Sequence, residues 1–136
     1  MRKIFVSIIL TCAIQARCDV LASLSFASLA ENKRVESVIT RERILRTPVW
    51  NTDDDSPPLA PRKADVLATS KFHSLFKDIK GWERKSIMLE SVVDASHWIY
   101  VVEYGPVDAQ LGLQFSVQIC VLMDGTVVQP NVTDAK

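Results

Sequence analysis

Two pairs of side chains in this sequence have the types and spacing that acid–base chemistry requires. His97 follows Asp94 by three residues at the tip of a predicted hairpin, where the carboxylate could orient the imidazole as in the second half of a catalytic triad. Glu90 and Glu103 fall on neighbouring predicted strands, where two carboxylates could share acid and base roles. However, no nucleophile stands at a spacing that completes the His97 pair, and both glutamates are expected to face water. The sequence therefore predicts no catalytic residue.

The remaining reactive groups give no recognisable metal or cofactor site. The chain has two histidines, His73 and His97, so a zinc site would need further ligands from Asp, Glu or Cys120. Phosphate-binding glycine loops, hydrolase and metalloprotease signatures and C-x-x-C are all missing from the sequence, which has only four glycines. We predict no cofactor-binding residue, no metal ligand and no cofactor. Whether the chain is an enzyme stays open, and a non-enzymatic role is favoured.

Three cysteines allow one disulfide after export. Cys12 lies in the apolar N-terminal segment, which leaves Cys18 and Cys120 as a pair in an oxidising compartment. The alternative is that Cys18 lies in a loose terminus and that Cys120 is a small buried hydrophobic residue. Both interpretations stay open at this point.

The N-terminal segment has the pattern of a secretory signal peptide. Arg2 and Lys3 precede an apolar run over 4–14, and the small residue Ala16 marks a cleavage site. The run is shorter than the roughly 20 apolar residues that cross a bilayer. A cut after Ala30, or retention of the segment, is also compatible with the sequence. We therefore predict export, to the periplasm and cell envelope or by secretion, with membrane contact only through this segment.

One amphipathic helix is the best-defined element of the chain. Pro61 suits its first position, Lys80 lies in its last turn, and Gly81 suits its C-terminal cap. An apolar face at helical spacing runs for over four turns and must be covered by other elements. The residues of that face are Ala64, Leu67, Ala68, Phe72, Leu75, Phe76 and Ile79.

Three strand-like runs, rich in β-branched and aromatic residues, follow the helix at 86–93, 97–104 and 113–123. The last run alternates, so one of its faces is expected to pack and the other to be mostly wet. The wet face would carry Gln114, Ser116, Gln118 and Cys120.

The dipeptide Asp124-Gly125 is a type I′ turn signal and predicts a short fourth strand over 126–129. The predicted fold class is therefore α+β, with one amphipathic helix packed on a three- to four-stranded antiparallel meander. A signal peptide and a poorly defined N-terminal region precede this unit.

Composition divides the chain into five segments, each with a distinct expected role. A helix that starts at Val20, capped by Asp19, is one interpretation of the N-terminal region. Prolines and aspartates make the segment before the long helix a linker. The predicted segments are a signal peptide over 1–16, the N-terminal region over 17–46, the linker over 47–61, an α+β domain over 62–130 and a tail over 131–136.

Charge is distributed unevenly along the chain. The segment 62–85 carries seven basic and three acidic residues, whereas 86–135 carries six acidic residues and no Lys or Arg. The asymmetry predicts either an acidic surface for a cationic partner or mutual neutralisation of helix and sheet within one fold. Loss of Arg2 and Lys3 would leave 14 basic and 16 acidic residues, a net charge of −2. That balance argues against a nucleic acid as partner.

A helix followed by strands that carry HWIYVVEYG and VQICVLMDGTVV resembles the small exported α+β domains of the PepSY and cystatin-like type. The resemblance covers about 57–130 and implies that the domain binds or restrains a partner. The Q-x-V-x-G hairpin that cystatins use against proteases has no match at Gln114 or Gln118. Protease inhibition is therefore not implied.

We predict an exported, non-enzymatic binding or interaction module with a protein partner. One alternative is a small enzyme or ligand-pocket protein with a cleft between helix and sheet, which a cavity lined by Glu103 or His97 would favour. The other is an envelope structural protein anchored by its N-terminus. The sequence specifies neither the partner nor the oligomeric state.

Overall fold

The structure, a computed structural model, describes residues 23–30, 32–108 and 115–135. Its strands form two antiparallel three-stranded sheets, which we call the outer sheet (β1–β2–β6) and the central sheet (β3–β4–β5). The elements are β1 (Ser23–Ala30), β2 (Lys33–Thr40), α1 (Arg41–Leu45), α2 (Pro61–Leu75), β3 (Trp82–Ser91), β4 (Trp98–Pro106), β5 (Val117–Leu122) and β6 (Asn131–Asp134).

The predicted fold class, one helix on a single meander, is wrong. The described residues are mostly β, and the described part of the N-terminal region forms the antiparallel hairpin β1–β2 and then the five-residue helix α1, where the sequence suggested a helix from Val20. The sequence of β1 is compatible with a helical spacing of apolar residues. In the structure, however, Leu24 and Phe26, which are two residues apart, both face the interior, as in a strand. The predicted tail also enters the fold, because β6 pairs with the first half of β2.

The central sheet is covered on both faces, which makes three layers. Tyr100 and Val102 of β4 pack toward α2. Ile99 and Val101 of the same strand pack toward the outer sheet with Ile39. The prediction of a wet face on β5 is wrong for the same reason. Cys120 and Leu122 are fully buried in the cluster between the central and outer sheets.

The helix α2 is present but ends at Leu75, five residues before its predicted end. Phe76 leaves the helical conformation while its N–H still bonds to the carbonyl of Phe72. Gly81 has a φ of 71° and begins the turn into β3 rather than capping the helix. The buried side of the helix is formed by Ala64, Ala68 and Phe72.

The predicted type I′ turn and the fourth strand after it are absent from the described fold. Only Gly125 of the Asp124-Gly125 pair has a positive φ, of 87°, whereas a type I′ turn needs two such residues. The chain then returns beside β5 through a single bridge between Val127 and Val121. It continues to β6 in the outer sheet.

The predicted signal peptide over 1–16 and Cys18 lie outside the described residues, so these predictions remain predictions. Ala30, the alternative cleavage position, ends β1 and is fully buried. Within the described ranges, no helix has both the length and the apolar content needed to cross a bilayer.

Candidate binding cleft

A cleft of about 150 Å³ lies between α2 and the start of β3. The helix contributes Asp65, Thr69 and His73, which share one side because residues four apart lie above one another. The strand contributes Trp82 and Arg84. The cleft is therefore a feature of the joint between helix and sheet edge, with one wall from each.

The polar wall of the cleft is a connected chain of hydrogen bonds. Arg84 forms an ion pair with Asp65 through Nη1. The hydroxyl of Thr69 lies 3.4 Å from Oδ1 of Asp65 and 3.0 Å from the hydroxyl of Tyr104. The hydrogen bond that Arg84 donates to the Asp65 carboxylate raises the pKa of Arg84, so the guanidinium stays charged. Its remaining N–H groups have no hydrogen-bond partner among the described residues and are open to a ligand.

Tyr104 closes the inner end of the cleft as a neutral phenol. Tyr104 is 3% exposed. Burial raises the pKa of its hydroxyl, an effect that the hydrogen bond with Thr69 partly opposes. At neutral pH the group therefore donates or accepts hydrogen bonds and does not act as a base.

Nearly parallel aromatic rings form the apolar floor of the cleft. The centroids of Phe72 and Tyr104 lie 4.3 Å apart with an interplanar angle of 10°. Trp82 stacks on the same phenylalanine at 6.2 Å and 28°. A group that entered the cleft would meet ring surface on one side and charged or hydroxyl groups on the other.

A β-bulge in β3 directs Arg84 into the cleft. The pairing with β4 shifts between Arg84 and Ser86, which leaves Lys85 as an extra residue. Lys85 forms an ion pair with Glu83 at 2.7 Å. Its stem crosses Gly105 so closely that a Cβ there would lie 3.3 Å from Cγ of the lysine. Lys85 thus points away from the helix, and Arg84 keeps the position that faces Asp65.

The predicted pair of Asp94 and His97 does form, in the hairpin between β3 and β4. Nδ1 of His97 lies 2.9 Å from both carboxylate oxygens. Oδ1 also accepts hydrogen bonds from the backbone N–H groups of Ser96 and His97. The hydrogen bond with His97, followed by that from Ser96, lowers the pKa of Asp94 well below its ordinary value. These contacts all stabilise the turn, and no nucleophile completes a triad among the residues described.

The other predicted acid–base pair is not brought together. Glu103 lies opposite Ser86, whose hydroxyl donates to it at 3.3 Å, whereas Glu90 lies opposite Ile99, four positions further along β3. The two histidines also lie apart, since His73 lines the cleft and His97 is in the hairpin. In the described part of the chain no three His, Cys, Asp or Glu residues form a metal-binding group.

Cys120 is a buried thiol rather than a reactive one. Burial raises its pKa to about 12, and the charge of Glu90 adds to this effect. It forms no disulfide within the described residues. Because Cys18 lies outside them, the pairing of Cys18 with Cys120 stays a prediction.

The ion pairs give no support to neutralisation between the basic and acidic segments. Arg84 pairs with Asp65 and Lys85 with Glu83, so both pairs stay inside 62–85. Across the described residues, no acidic residue of 86–135 pairs with a Lys or Arg. Four of the six acidic residues of that segment are exposed, namely Asp94, Asp108, Asp124 and Asp134.

Sequence reasoning did not single out Asp65, Thr69 or Arg84. The signal for the first two was available, because Asp65, Thr69 and His73 form a polar stripe at a spacing of four beside the apolar face. No sequence pattern marked Arg84, since the direction of its side chain depends on the bulge.

Comparisons of the chain with protein-family models, curated proteins and solved structures give no match. The resemblance to PepSY and cystatin-like domains therefore stays a prediction.

Proposed function

We propose that this protein is an exported, non-enzymatic binding module that takes one side chain of a protein partner into the cleft between α2 and β3. The observation that carries the proposal is the size and lining of the cleft. A volume of about 150 Å³ with an aromatic floor and one ion-paired wall suits a single anchor side chain. Export is proposed from the N-terminal sequence pattern alone.

The volume of the cleft favours a single anchor side chain over a free small molecule as the ligand. Pockets for drug-sized ligands and cofactors measure roughly 300–1,000 Å³. A cavity of roughly 150 Å³ accepts a group about the size of benzene. The cleft is of this second size, which is the size of one aromatic or branched side chain.

The polar groups in the cleft favour binding over catalysis. The carboxylate of Asp65 is engaged by Arg84 and Thr69, and the phenol of Tyr104 by Thr69. A general base needs an accessible lone pair and a pKa near the working pH. The Asp65 carboxylate is already bound by Arg84 and Thr69, and burial raises the pKa of Tyr104 further above neutrality. The cleft does not support the alternative of an enzyme that uses Glu103 or His97, because neither residue lines it.

The test is capture of partners from the host's own envelope fraction or medium, with three matched baits. His73→Ala and Arg84→Ala each remove a side chain that lines the cleft. Arg62→Ala removes an exposed charge from the first turn of the same helix, outside the cleft. We expect one protein to bind the unmodified bait and Arg62→Ala, and to be lost or strongly reduced on both cleft variants. Equal recovery on all baits, or no specific partner, would contradict the proposal.

A further inference from the structure

The outer edge of β3 is an unpaired strand edge next to the cleft. β3 pairs with β4 on one side, and no other described strand pairs with it. From Ser86 to Ser91 its pairing with β4 runs without a shift. This segment begins two residues beyond Arg84, so the edge and the cleft form one continuous surface.

The hydrogen bonds of the hairpin establish which backbone groups face outward. The N–H of Val92 donates to the carbonyl of His97, so these two residues form a hydrogen-bonded pair of the antiparallel ladder. Such pairs alternate along the strands. In the same register, Ile87, Leu89 and Ser91 therefore direct their N–H and C=O groups away from β4. These groups have no hydrogen-bond partner among the described residues.

The same segment lacks the features that usually protect a strand edge. Proteins shield edges by keeping them short, by bulges, by proline or by charged side chains such as lysine. β6, at the edge of the outer sheet, has only four residues. The first part of β3 has its bulge with Lys85 and Glu83. Ser86–Ser91 has no bulge, no proline and no Lys or Arg, and its one charged residue is Glu90.

We propose that an extended segment of the partner polypeptide adds to the outer edge of β3 along Ser86–Ser91. The inference rests on the proposed function, because it assumes that the partner is a protein, and it names the form in which that protein binds. A row of alternating N–H and C=O groups is complementary to the backbone of another β-strand. Side chains of the added strand would lie beside Ile87 and Leu89 on the face toward α2. Apolar residues are expected there, with the anchor side chain near Arg84.

The probe is a peptide selected from a displayed library of random 12-residue sequences on the immobilised protein. Residue-resolved amide exchange is then measured on the unmodified protein with and without that peptide. We expect the exchange of Ile87, Leu89 and Ser91 to slow by about tenfold or more on binding, while Met88 and Glu90 are already protected by β4. Protection of these amides in the free protein that rises with its concentration would identify a second copy as the occupant and overturn the proposal.

Two variants at one exposed position test the backbone contact directly. Ser91→Pro removes an outward N–H without removing a hydrogen bond to β4, and Ser91→Ala keeps that N–H. We expect the proline variant to bind the selected peptide about tenfold more weakly, as for loss of one good hydrogen bond, and the alanine variant to bind as tightly as the parent. Should the proline variant fail to fold, the exchange measurement decides alone.

The outcomes separate this inference from the proposed function. One result is that the selected peptides bind the His73→Ala and Arg84→Ala variants more weakly and still leave the amides of the β3 edge unprotected. That result would overturn strand addition and leave the cleft proposal standing. Peptides that protect the edge but bind both cleft variants normally would support strand addition and contradict the cleft. Failure to select any binding peptide, or equal affinity of the two Ser91 variants, overturns the inference.

Discussion

At the scale of single residues, Phe72 connects the core to the cleft. Its side chain is 2% exposed, and its ring stacks on Tyr104 at 4.3 Å while also contacting Trp82. The ring thus fills the space under α2 and supports Trp82, the partly exposed ring of the cleft floor. Stability and binding are linked at this position.

Replacement of Phe72 by alanine is expected to lower the free energy of unfolding by about 3–5 kcal/mol, because it removes a large buried side chain and leaves a cavity. Urea denaturation followed by circular dichroism measures the loss. Val66→Ala is the matched control on the same helix, since Val66 is 62% exposed, and should change stability by less than about 0.5 kcal/mol. A loss below about 1 kcal/mol for Phe72→Ala would mean that the ring is not part of the core.

Asp94 is expected to make the stability of the protein depend on pH in the acid range. Hydrogen bonds from His97 and Ser96 lower the pKa of Asp94 in the folded state. Its contribution to stability is therefore present above its unfolded pKa of about 3.9 and is lost as the pH falls through the lower, folded value. We expect Asp94→Asn to be less stable than the parent at pH 7, with the difference shrinking below about pH 4.

Denaturation curves of parent and Asp94→Asn between pH 2 and pH 7 test this expectation. Asp53→Asn is the control, because Asp53 is an exposed linker residue and forms no described hydrogen bond. A difference between Asp94→Asn and the parent that stays constant over the whole range would show that the carboxylate charge is not what the turn uses.

At the scale of elements, the long helix and the hairpin β3–β4 were predictable, and the two-sided burial of the central sheet was not recognised. The apolar spacing of α2 is unambiguous because it runs for several turns. β1 has eight residues, but in the sequence Leu21, Leu24, Ala27 or Ser28 and Leu29 recur at roughly helical spacing, so the segment also suited a helix. The uninterrupted apolar run over 99–102 was the available sign that β4 is buried on both faces, because strands covered on both sides do not alternate.

Ile99 distinguishes the three-layer fold from a helix on a one-sided sheet. It is fully buried on the face of β4 that packs against the outer sheet. Ile99→Ala is therefore expected to lower the free energy of unfolding by about 2–5 kcal/mol, as core truncations do. Val38→Ala is the control in the outer sheet, because Val38 is 48% exposed. Equal, small effects of both substitutions in urea would indicate that the outer sheet does not cover β4.

The candidate cleft shows the limit of prediction at this scale. A cleft between helix and sheet was one of the alternatives that the sequence left open, and the polar stripe on α2 was visible in the sequence. The direction of Arg84 depends on a single extra residue in β3. A shift of the pairing register by one residue moves the side chains of a strand to the opposite face of the sheet. A bulge that no sequence pattern marks therefore changes which side chains of β3 face α2.

At the scale of the whole molecule, the order of the layers distinguishes the two cleavage positions that the sequence predicts. β1 supplies Leu24 and Phe26 to the cluster that covers Ile99 and Cys120, and it also meets β5 through a bridge between Leu29 and Ser116. Cleavage after Ala30 would remove this strand and uncover the part of the central sheet against which Leu24 and Phe26 pack. Cleavage after Ala16 would leave all three layers intact.

If the predicted signal peptide is cleaved, we therefore expect the mature protein to begin at Arg17 rather than at Glu31. Intact-mass measurement of the protein recovered from the envelope or the medium distinguishes this start from a start at Glu31. A chain engineered to begin at Glu31 is the matched comparison and should unfold at a lower urea concentration, because apolar surface of the central sheet is uncovered. Recovery of a chain that begins at Glu31 with undiminished stability would mean that β1 is dispensable and that β2 and β6 alone cover that face of the central sheet.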